Sequence, residues 1–339
     1  MELDYPENKK FKNFYITCVS KSCGRVLESH RIHNYLDANG ISFTKNFKKA
    51  ELIVISTCAL TKELEDDTVR AIKYYSKRKS KNSKIVLVGC LTVINPSSFQ
   101  YLGDFGVISP KELHKFKELI GSKIEWDSVS RSGELKKFPL APFVILLNAF
   151  IRDVHFLYRG TKADFSYPIR YLTKDKWIRI KNCIGYAFSK HTQIPSDKGV
   201  YQLSVSSGCL GNCSFCAIKF AIGNTKSVPI NEIVRELREA VAFGYKHFNL
   251  RSPDVASYGL DIKTNFIELL KDIFAEKSDI TIKLSTLHPK WLIRYHDDLI
   301  KIIKENSKKI REIVIPIQSG SNRILELMRR GYKIEEEVK

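Results

Sequence analysis

Three short runs near the N-terminus, Phe14-Tyr15-Ile16-Thr17, Leu52-Ile53-Val54-Ile55 and Ile85-Val86-Leu87-Val88, are almost unbroken in apolar, β-branched or aromatic residues. Such runs predict strands buried on both faces, because a strand wetted on one side alternates apolar with polar. Between them, residues 28–38, closed by Asn39-Gly40, and residues 63–79 carry apolar positions at helical spacing. Strand–helix–strand alternation predicts a small doubly wound parallel sheet with right-handed crossovers.

From Val200 the alternation resumes with a longer period. Strands are expected at 202–206, 247–251, 280–284 and 312–317, and helices at 230–243, 265–275, 298–305 and 322–330. Four βα units in a row predict the beginning of a (β/α) barrel or an open α/β sheet. Residues 123–199 follow neither pattern. They are rich in aromatics, carry fourteen basic against seven acidic residues, and read as a basic connector or insertion with some helix within 141–158. The expected division is therefore 1–122, 123–199 and 200–339.

Composition narrows this picture. Among 339 residues, 43% are hydrophobic and 27% charged, which excludes a disordered or low-complexity chain. The net charge of +19 favours a polyanionic partner such as nucleic acid. The first ten residues lack the apolar stretch of a secretory signal. The longest greasy run, 141–151, is broken by Pro142 and Asn148 and is too short to span a bilayer, so no membrane association is expected. Eight cysteines in such a chain point to a reducing, cytoplasmic compartment and to thiols used as ligands or nucleophiles.

The sharpest chemical signal is Cys209-Leu-Gly-Asn-Cys213-Ser-Phe-Cys216, directly after the first strand of the second block. Three thiols in so short a loop converge only if the loop wraps around something, and Gly208 and Gly211 supply the backbone freedom to do so. Thiolates select zinc or iron–sulfur clusters. No fourth cysteine or histidine follows at zinc-finger spacing, whereas three ligands on a four-iron cluster leave one iron open.

This Cys-x3-Cys-x2-Cys spacing, with Phe215 before the last cysteine, resembles the radical S-adenosylmethionine enzymes. The surrounding SSGCLGNCSFCAIKFAIGNTKSVPINEIVREL, the stretches beginning at Asp254 and Leu284, Ile315-Pro-Ile-Gln-Ser-Gly-Ser321 and Met328-Arg-Arg-Gly-Tyr332 are similar to the methylthiotransferase branch. The wording is nearest to the archaeal and eukaryotic enzymes that act on threonylcarbamoyl-adenosine in tRNA. The resemblance implies an N-terminal doubly wound domain followed by a radical SAM (β/α) barrel. It also implies replacement of an unactivated C–H by C–SCH3 at C2 of the modified adenine beside the anticodon. The implied cofactors are S-adenosylmethionine and two [4Fe–4S] clusters. The implied partners are the tRNA anticodon stem-loop and an electron donor such as flavodoxin or ferredoxin.

The N-terminal block fits that implication. Each of its three strands is followed by a cysteine-bearing turn: Cys18 or Cys23, then Cys58, then Cys90. Parallel strands put their C-terminal ends on one rim, where α/β sheets bind ligands. The resemblance implies that Cys23, Cys58 and Cys90 hold the auxiliary cluster, Cys23 being preferred over Cys18 on its spacing to Glu28-Ser29. It further implies that Cys209, Cys213 and Cys216 hold the S-adenosylmethionine cluster and that Gln318 and Ser319 contact cofactor or substrate. Cys183 lies outside both patterns and is expected to be structural.

Two positions depart from the family's wording: Ile222 stands where an arginine precedes Gly223, and Pro253 stands where a Gln or Glu precedes Asp254. The family also continues with further βα units and a small RNA-binding β-barrel beyond the point matching Lys339, so a partial barrel is expected here. Lys73, Lys77, Arg78, Lys79, Lys81 and Lys84, interleaved with Tyr74 and Tyr75, form a candidate phosphate-contacting cluster. Two other readings stay open: methylthiolation of a protein or peptide side chain, and a non-catalytic RNA-binding remnant.

Overall fold

A computed structural model describes residues 11–19, 23–134 and 199–336. The first sheet is built from Asn13–Cys18 (β1), Ser42–Phe43 (β2), Leu52–Thr57 (β3), Lys84–Gly89 (β4) and Gly106–Ile108 (β5). Its order is β2-β1-β3-β4-β5, and every pair is parallel. The pleat sends alternate side chains to opposite faces. Phe14, Ile16, Leu52, Val54, Val86 and Val88 pack under the helix Cys23–Ala38, through its Val26, Ile32 and Leu36. Tyr15, Ile53, Ile55, Ile85 and Leu87 pack under Lys62–Arg78, through Ala71, Ile72 and Tyr75. Burying each large apolar side chain contributes about 1.5–3 kcal/mol, and both faces are filled. The sheet is thus doubly wound, as the unbroken apolar runs required.

The second sheet contains Gly133–Glu134 (β6), Val200–Ser204 (β7), His247–Arg251 (β10), Thr281–Leu284 (β11) and Ile310–Ile313 (β12) in the order β12-β11-β10-β7-β6. A separate two-stranded ribbon pairs Ser206–Ser207 (β8) with Lys226–Ser227 (β9). β7, β10, β11 and β12 are parallel, and β6 runs antiparallel to β7. Only one face is greasy. Leu203, Phe248, Leu250, Ile282 and Leu284 pack with Ile233, Leu237, Phe266, Leu270, Ile273 and Leu299 from the covering helices. The opposite face carries a polar row, because Gln202, Asn249, Lys283 and Glu312 stand in register across four strands. Gln202 Oε1 accepts Asn249 Nδ2 at 3.2 Å and Arg251 Nε at 2.5 Å, so these buried groups satisfy one another. Parallel strands covered by helices on one face are the arrangement of (β/α) barrel strands.

Several elements differ in their bounds from those expected, among them the strand expected at 202–206, which is Val200–Ser204. The helix expected at 28–38 begins at Cys23. The strand expected at 312–317 is Ile310–Ile313, followed by irregular chain. Val314 still bonds across to Leu284 and Leu287, but Pro316 has no N–H to offer and the Ile317 N–H turns back on the Ile315 carbonyl. The helix expected at 322–330 stops at Leu327, because Arg329 adopts a left-handed φ of +53°.

The start of the expected connector bolts the two sheets together. Ile124, Trp126 and Val129 pack into the first core. Tyr35 donates to the Ile124 carbonyl, and the Arg31 guanidinium lies 4.5 Å from the Trp126 ring. Ser132 Oγ accepts the Ser204 N–H and donates to Glu236, which also takes a hydrogen bond from Ser130. The helix expected within 141–158 and Cys183 lie outside the described residues. Among the described residues, no helix is long and apolar enough to cross a membrane.

Candidate functional site

The loop bearing Cys209, Cys213 and Cys216 leaves β8, and the chain returns through the helix Ile218–Ile222 to β9. Gly208 sits at the neck with φ +74°. A Cβ there would lie 1.8 Å from the Asn224 carbonyl oxygen, so no other residue fits without moving backbone. The Cys209 N–H donates to the Gly223 carbonyl at 3.0 Å, closing the neck. Inside the loop, the Gly211 N–H donates to Cys209 Sγ at 3.2 Å. A Cβ on Gly211 would meet the sulfurs of Cys209 and Cys213 at 3.2 and 3.7 Å, so both thiols flank one glycine. All three cysteines are half-buried and none forms a disulfide.

Contacts from the far end of the chain hold this loop. The Ser214 N–H donates to the Met328 carbonyl at 3.1 Å, and Ser214 Oγ donates to the Leu327 carbonyl at 2.7 Å. Arg330 Nη1 donates to Cys213 Sγ at 3.2 Å, and its Nη2 donates to the Pro316 carbonyl at 2.7 Å. Burial pushes the Cys209 thiol above its usual range; the Gly211 N–H opposes this, while Asp254, Cys216 and Cys213 add to the rise. Among the described residues, no three His, Cys, Asp or Glu side chains surround a single metal-ion position. Ligands of a polynuclear cluster bind different irons, and three thiols spread along one loop suit that chemistry better than one ion. Soft donors, N–H groups aimed at sulfur and partial exposure make the loop a fitting cradle for an iron–sulfur group.

Gln318 and Ser319 lie in the irregular chain after β12. Gln318 is exposed with φ +75°, a conformation that costs a non-glycine residue about 1–2 kcal/mol. Arg330 joins this segment to the cysteine loop, since Pro316 and Cys213 share its guanidinium. Sequence reasoning missed Arg330 and Ser214. Both lie within stretches that carry the family resemblance, and Gly331 after a pair of arginines is a helix-stop pattern.

The N-terminal cysteines divide into two kinds. Thr57 and Gly89 stand in register at the ends of β3 and β4, so Cys58 and Cys90 leave the sheet side by side. Both are buried, at 2% exposure. Thr68 Oγ1 accepts the Cys58 N–H at 3.2 Å and fixes that turn. Cys18, by contrast, is wholly buried under the helix Cys23–Ala38, with its thiol 3.1 Å from Ser29 Oγ. It belongs to the core. Cys23 opens that helix, and its side chain lies outside the described residues.

The two cysteine regions meet at one junction. Cys90 precedes the short helix Leu91–Ile94, which packs on Ile218–Ile222, the helix that starts two residues after Cys216. The Lys111 side chain also lies over Gly223, 3.0 Å from where a Cβ would stand. In the basic cluster, Tyr75 is not a surface ring. It is buried with its hydroxyl 3.0 Å from that of Tyr15, while Tyr74 carries the Arg78 guanidinium 4.4 Å from its ring.

The profile described as "Radical SAM superfamily" matches residues 203–339, and "Uncharacterized protein family UPF0004" matches residues 23–104. The chain is 29% identical to "Probable threonylcarbamoyladenosine tRNA methylthiotransferase" of Archaeoglobus fulgidus, over 85% of this chain and 56% of that protein. It is 27% identical to the human "Threonylcarbamoyladenosine tRNA methylthiotransferase", over 88% and 43%. It is 26% identical to "Ribosomal protein uS12 methylthiotransferase RimO" of Dictyoglomus thermophilum, over 92% and 61%. The chain thus spans between 43% and 61% of the length of these relatives. Among solved structures, the radical S-adenosylmethionine methyltransferase TsrM of Kitasatospora setae shares the fold, with a TM-score of 0.52 at 11% identity over 96% of this chain and 64% of that one.

Proposed function

We propose that this chain, whose residues 203–339 match the radical SAM superfamily and whose residues 23–104 match UPF0004, is a methylthiotransferase that converts C–H to C–SCH3 at C2 of threonylcarbamoyl-adenosine in the anticodon loop of tRNA. The observation that carries this reading is the three-cysteine loop at the strand rim, its sulfurs met by N–H donors, packed against the helix that follows Cys90. The superfamily implies S-adenosylmethionine and one [4Fe–4S] cluster, for which Cys209, Cys213 and Cys216 are the ligands in this reading. Together they supply reductive cleavage of a sulfur–carbon bond and so a radical able to take hydrogen from an unactivated carbon.

What this chain's own residues do is position and exclude. The Gly211 N–H and Arg330 stabilise negative charge on sulfur. Ser214 fixes the loop against the last helix. Leu210, Phe215 and Phe220, exposed around the loop, provide apolar surface for a substrate to cover, which keeps water from the reacting carbon. Gln318 and Ser319 contact S-adenosylmethionine. Cys58 and Cys90, with Cys23 as third ligand, would hold the auxiliary cluster as the sulfur source, and a second S-adenosylmethionine would supply the methyl group. Lys73, Lys77, Arg78, Lys79 and Lys81 on the helix Lys62–Arg78 and just past it take phosphates of the stem-loop. The target base lies in a single-stranded loop, where it can be splayed out and read. A flavodoxin- or ferredoxin-type donor supplies electrons, and a cytoplasmic setting follows from that substrate.

The similarity to a ribosomal-protein methylthiotransferase supports a second reading, a protein side chain as acceptor. Anaerobic incubation of the reconstituted chain with S-adenosylmethionine, dithionite and an anticodon stem-loop carrying threonylcarbamoyl-adenosine separates them. The expected products are 5′-deoxyadenosine and a methylthio-nucleoside. Formation of 5′-deoxyadenosine with unmodified RNA refutes the tRNA substrate, and a peptide arm then tests the alternative. No 5′-deoxyadenosine refutes the enzyme.

A further inference from the structure

Arg330 is 4% exposed, and its guanidinium is nearly enclosed. Nη1 donates to Cys213 Sγ at 3.2 Å and Nη2 to the Pro316 carbonyl at 2.7 Å, while Nε finds no acceptor among the described residues. The Tyr332 ring lies 5.8 Å away. Its hydrogen bonds go to a thiol and a carbonyl, and no carboxylate among the described residues is one of its partners. A buried cation without a counter-charge is costly, by several kcal/mol even after relaxation, so the position calls for an anion.

The backbone is shaped to put it there. The Arg330 N–H bonds the Leu325 carbonyl and the Arg329 N–H bonds the Glu326 carbonyl, which closes the helix Asn322–Leu327 in a Schellman turn. Arg329 takes the left-handed position, φ +53°, that glycine usually fills there, and Gly331 follows at φ +70°. A turn that accepts this strain throws the Arg330 side chain back over the cysteine loop. The same charge faces His288, whose imidazole is lowered to about 4 by burial first and then by Arg330 and Lys290.

We propose that Arg330 is a positioning residue for the iron–sulfur group: it holds the Cys213 sulfur and, as a fixed cation beside it, raises the group's reduction potential. The counter-charge it lacks is the negative cluster itself. This rests on the proposed reading of Cys209, Cys213 and Cys216 as ligands. Hydrogen bonds and charge at sulfur are among the recognised determinants of cluster potential, and charge-assisted bonds are the strong ones.

The test is a potentiometric titration, followed by electron paramagnetic resonance, of the full chain carrying Cys58→Ala and Cys90→Ala so that one cluster is read. Arg330→Gln is expected to shift the potential to more negative values at unchanged iron content, and Arg330→Lys to shift it less. Tyr332→Phe removes the hydroxyl bond to Ile317 in the same turn and is expected to leave the potential in place. An unmoved potential in Arg330→Gln overturns the proposal, as does an equal shift in Tyr332→Phe, which would assign the effect to a loosened turn. If Arg330→Gln fails to fold, Arg330→Lys decides: retained iron supports the charge, and lost iron assigns a bracing role and overturns it. A parent chain that binds no cluster refutes the ligand reading instead.

Discussion

Asp254 and Trp291 share a buried hydrogen bond: Oδ2 of the carboxylate accepts the indole N–H at 2.7 Å, while Oδ1 accepts the His288 N–H at 3.3 Å. One side chain thereby ties the chain leaving β10 to the chain leaving β11, on the rim that carries the cysteine loop. Burial holds the Asp254 carboxyl above the usual carboxylate range, against the pull of these donors. Trp291→Phe keeps the apolar volume and removes one donor from a buried acceptor. It is expected to cost about 1–3 kcal/mol, read as a lower urea midpoint at unchanged slope. A midpoint equal to the parent's contradicts the tie.

His288 adds a pH dependence with a defined sign. Its imidazole is buried, and burial together with Arg330 and Lys290 lowers its pKa from the usual 6.5 to about 4. Nδ1 accepts the Lys290 N–H, capping the helix Pro289–Arg294, which the neutral ring alone can do. Between pH 6.5 and 4 the unfolded chain takes up a proton that the folded chain refuses, so stability falls as pH falls. The full contribution is present above pH 6.5, and about 3 kcal/mol of it is lost by pH 4. His288→Asn can still cap, and the difference in unfolding free energy between pH 7 and pH 4 is expected to shrink by about that amount. An unchanged difference contradicts the assignment.

Gly208 makes the neck of the cysteine loop possible. Its left-handed φ and the 1.8 Å approach of the Asn224 oxygen to a Cβ leave no room for alanine. Gly208→Ala is expected to lower the thermal midpoint and to abolish retention of iron after desalting, whereas Gly244→Ala, at a left-handed position with open space, loses stability only. Full iron retention in Gly208→Ala would show that the loop does not need this neck.

How much of this was legible depended on where the burial came from. β1, β3 and β4 announce themselves because a strand covered on both faces must be apolar throughout, and 247–251 matches β10 residue for residue. β12 misled for the opposite reason: Val314, Ile315 and Ile317 look like strand, yet they lie exposed beyond it. The three-residue β5 and two-residue β6 are too short to carry a period. The cysteine loop was legible as chemistry, because spacing alone exposes three thiols in one turn. Its support was not. Arg330 reaches Cys213 across more than a hundred residues of sequence, and no local pattern encodes such a contact. Cys18 and Cys58 look alike in sequence, and both are buried; register and packing partners separate a core thiol on Ser29 from a thiol at a strand-end turn.

Iron and sulfide counts after anaerobic reconstitution test the central claim, that two groups of three cysteines each hold a four-iron cluster. The account predicts about eight irons per chain, about four in Cys58→Ala, and an undiminished count in Cys18→Ala, whose thiol lies in the core. A fully loaded parent with four irons or fewer would contradict it.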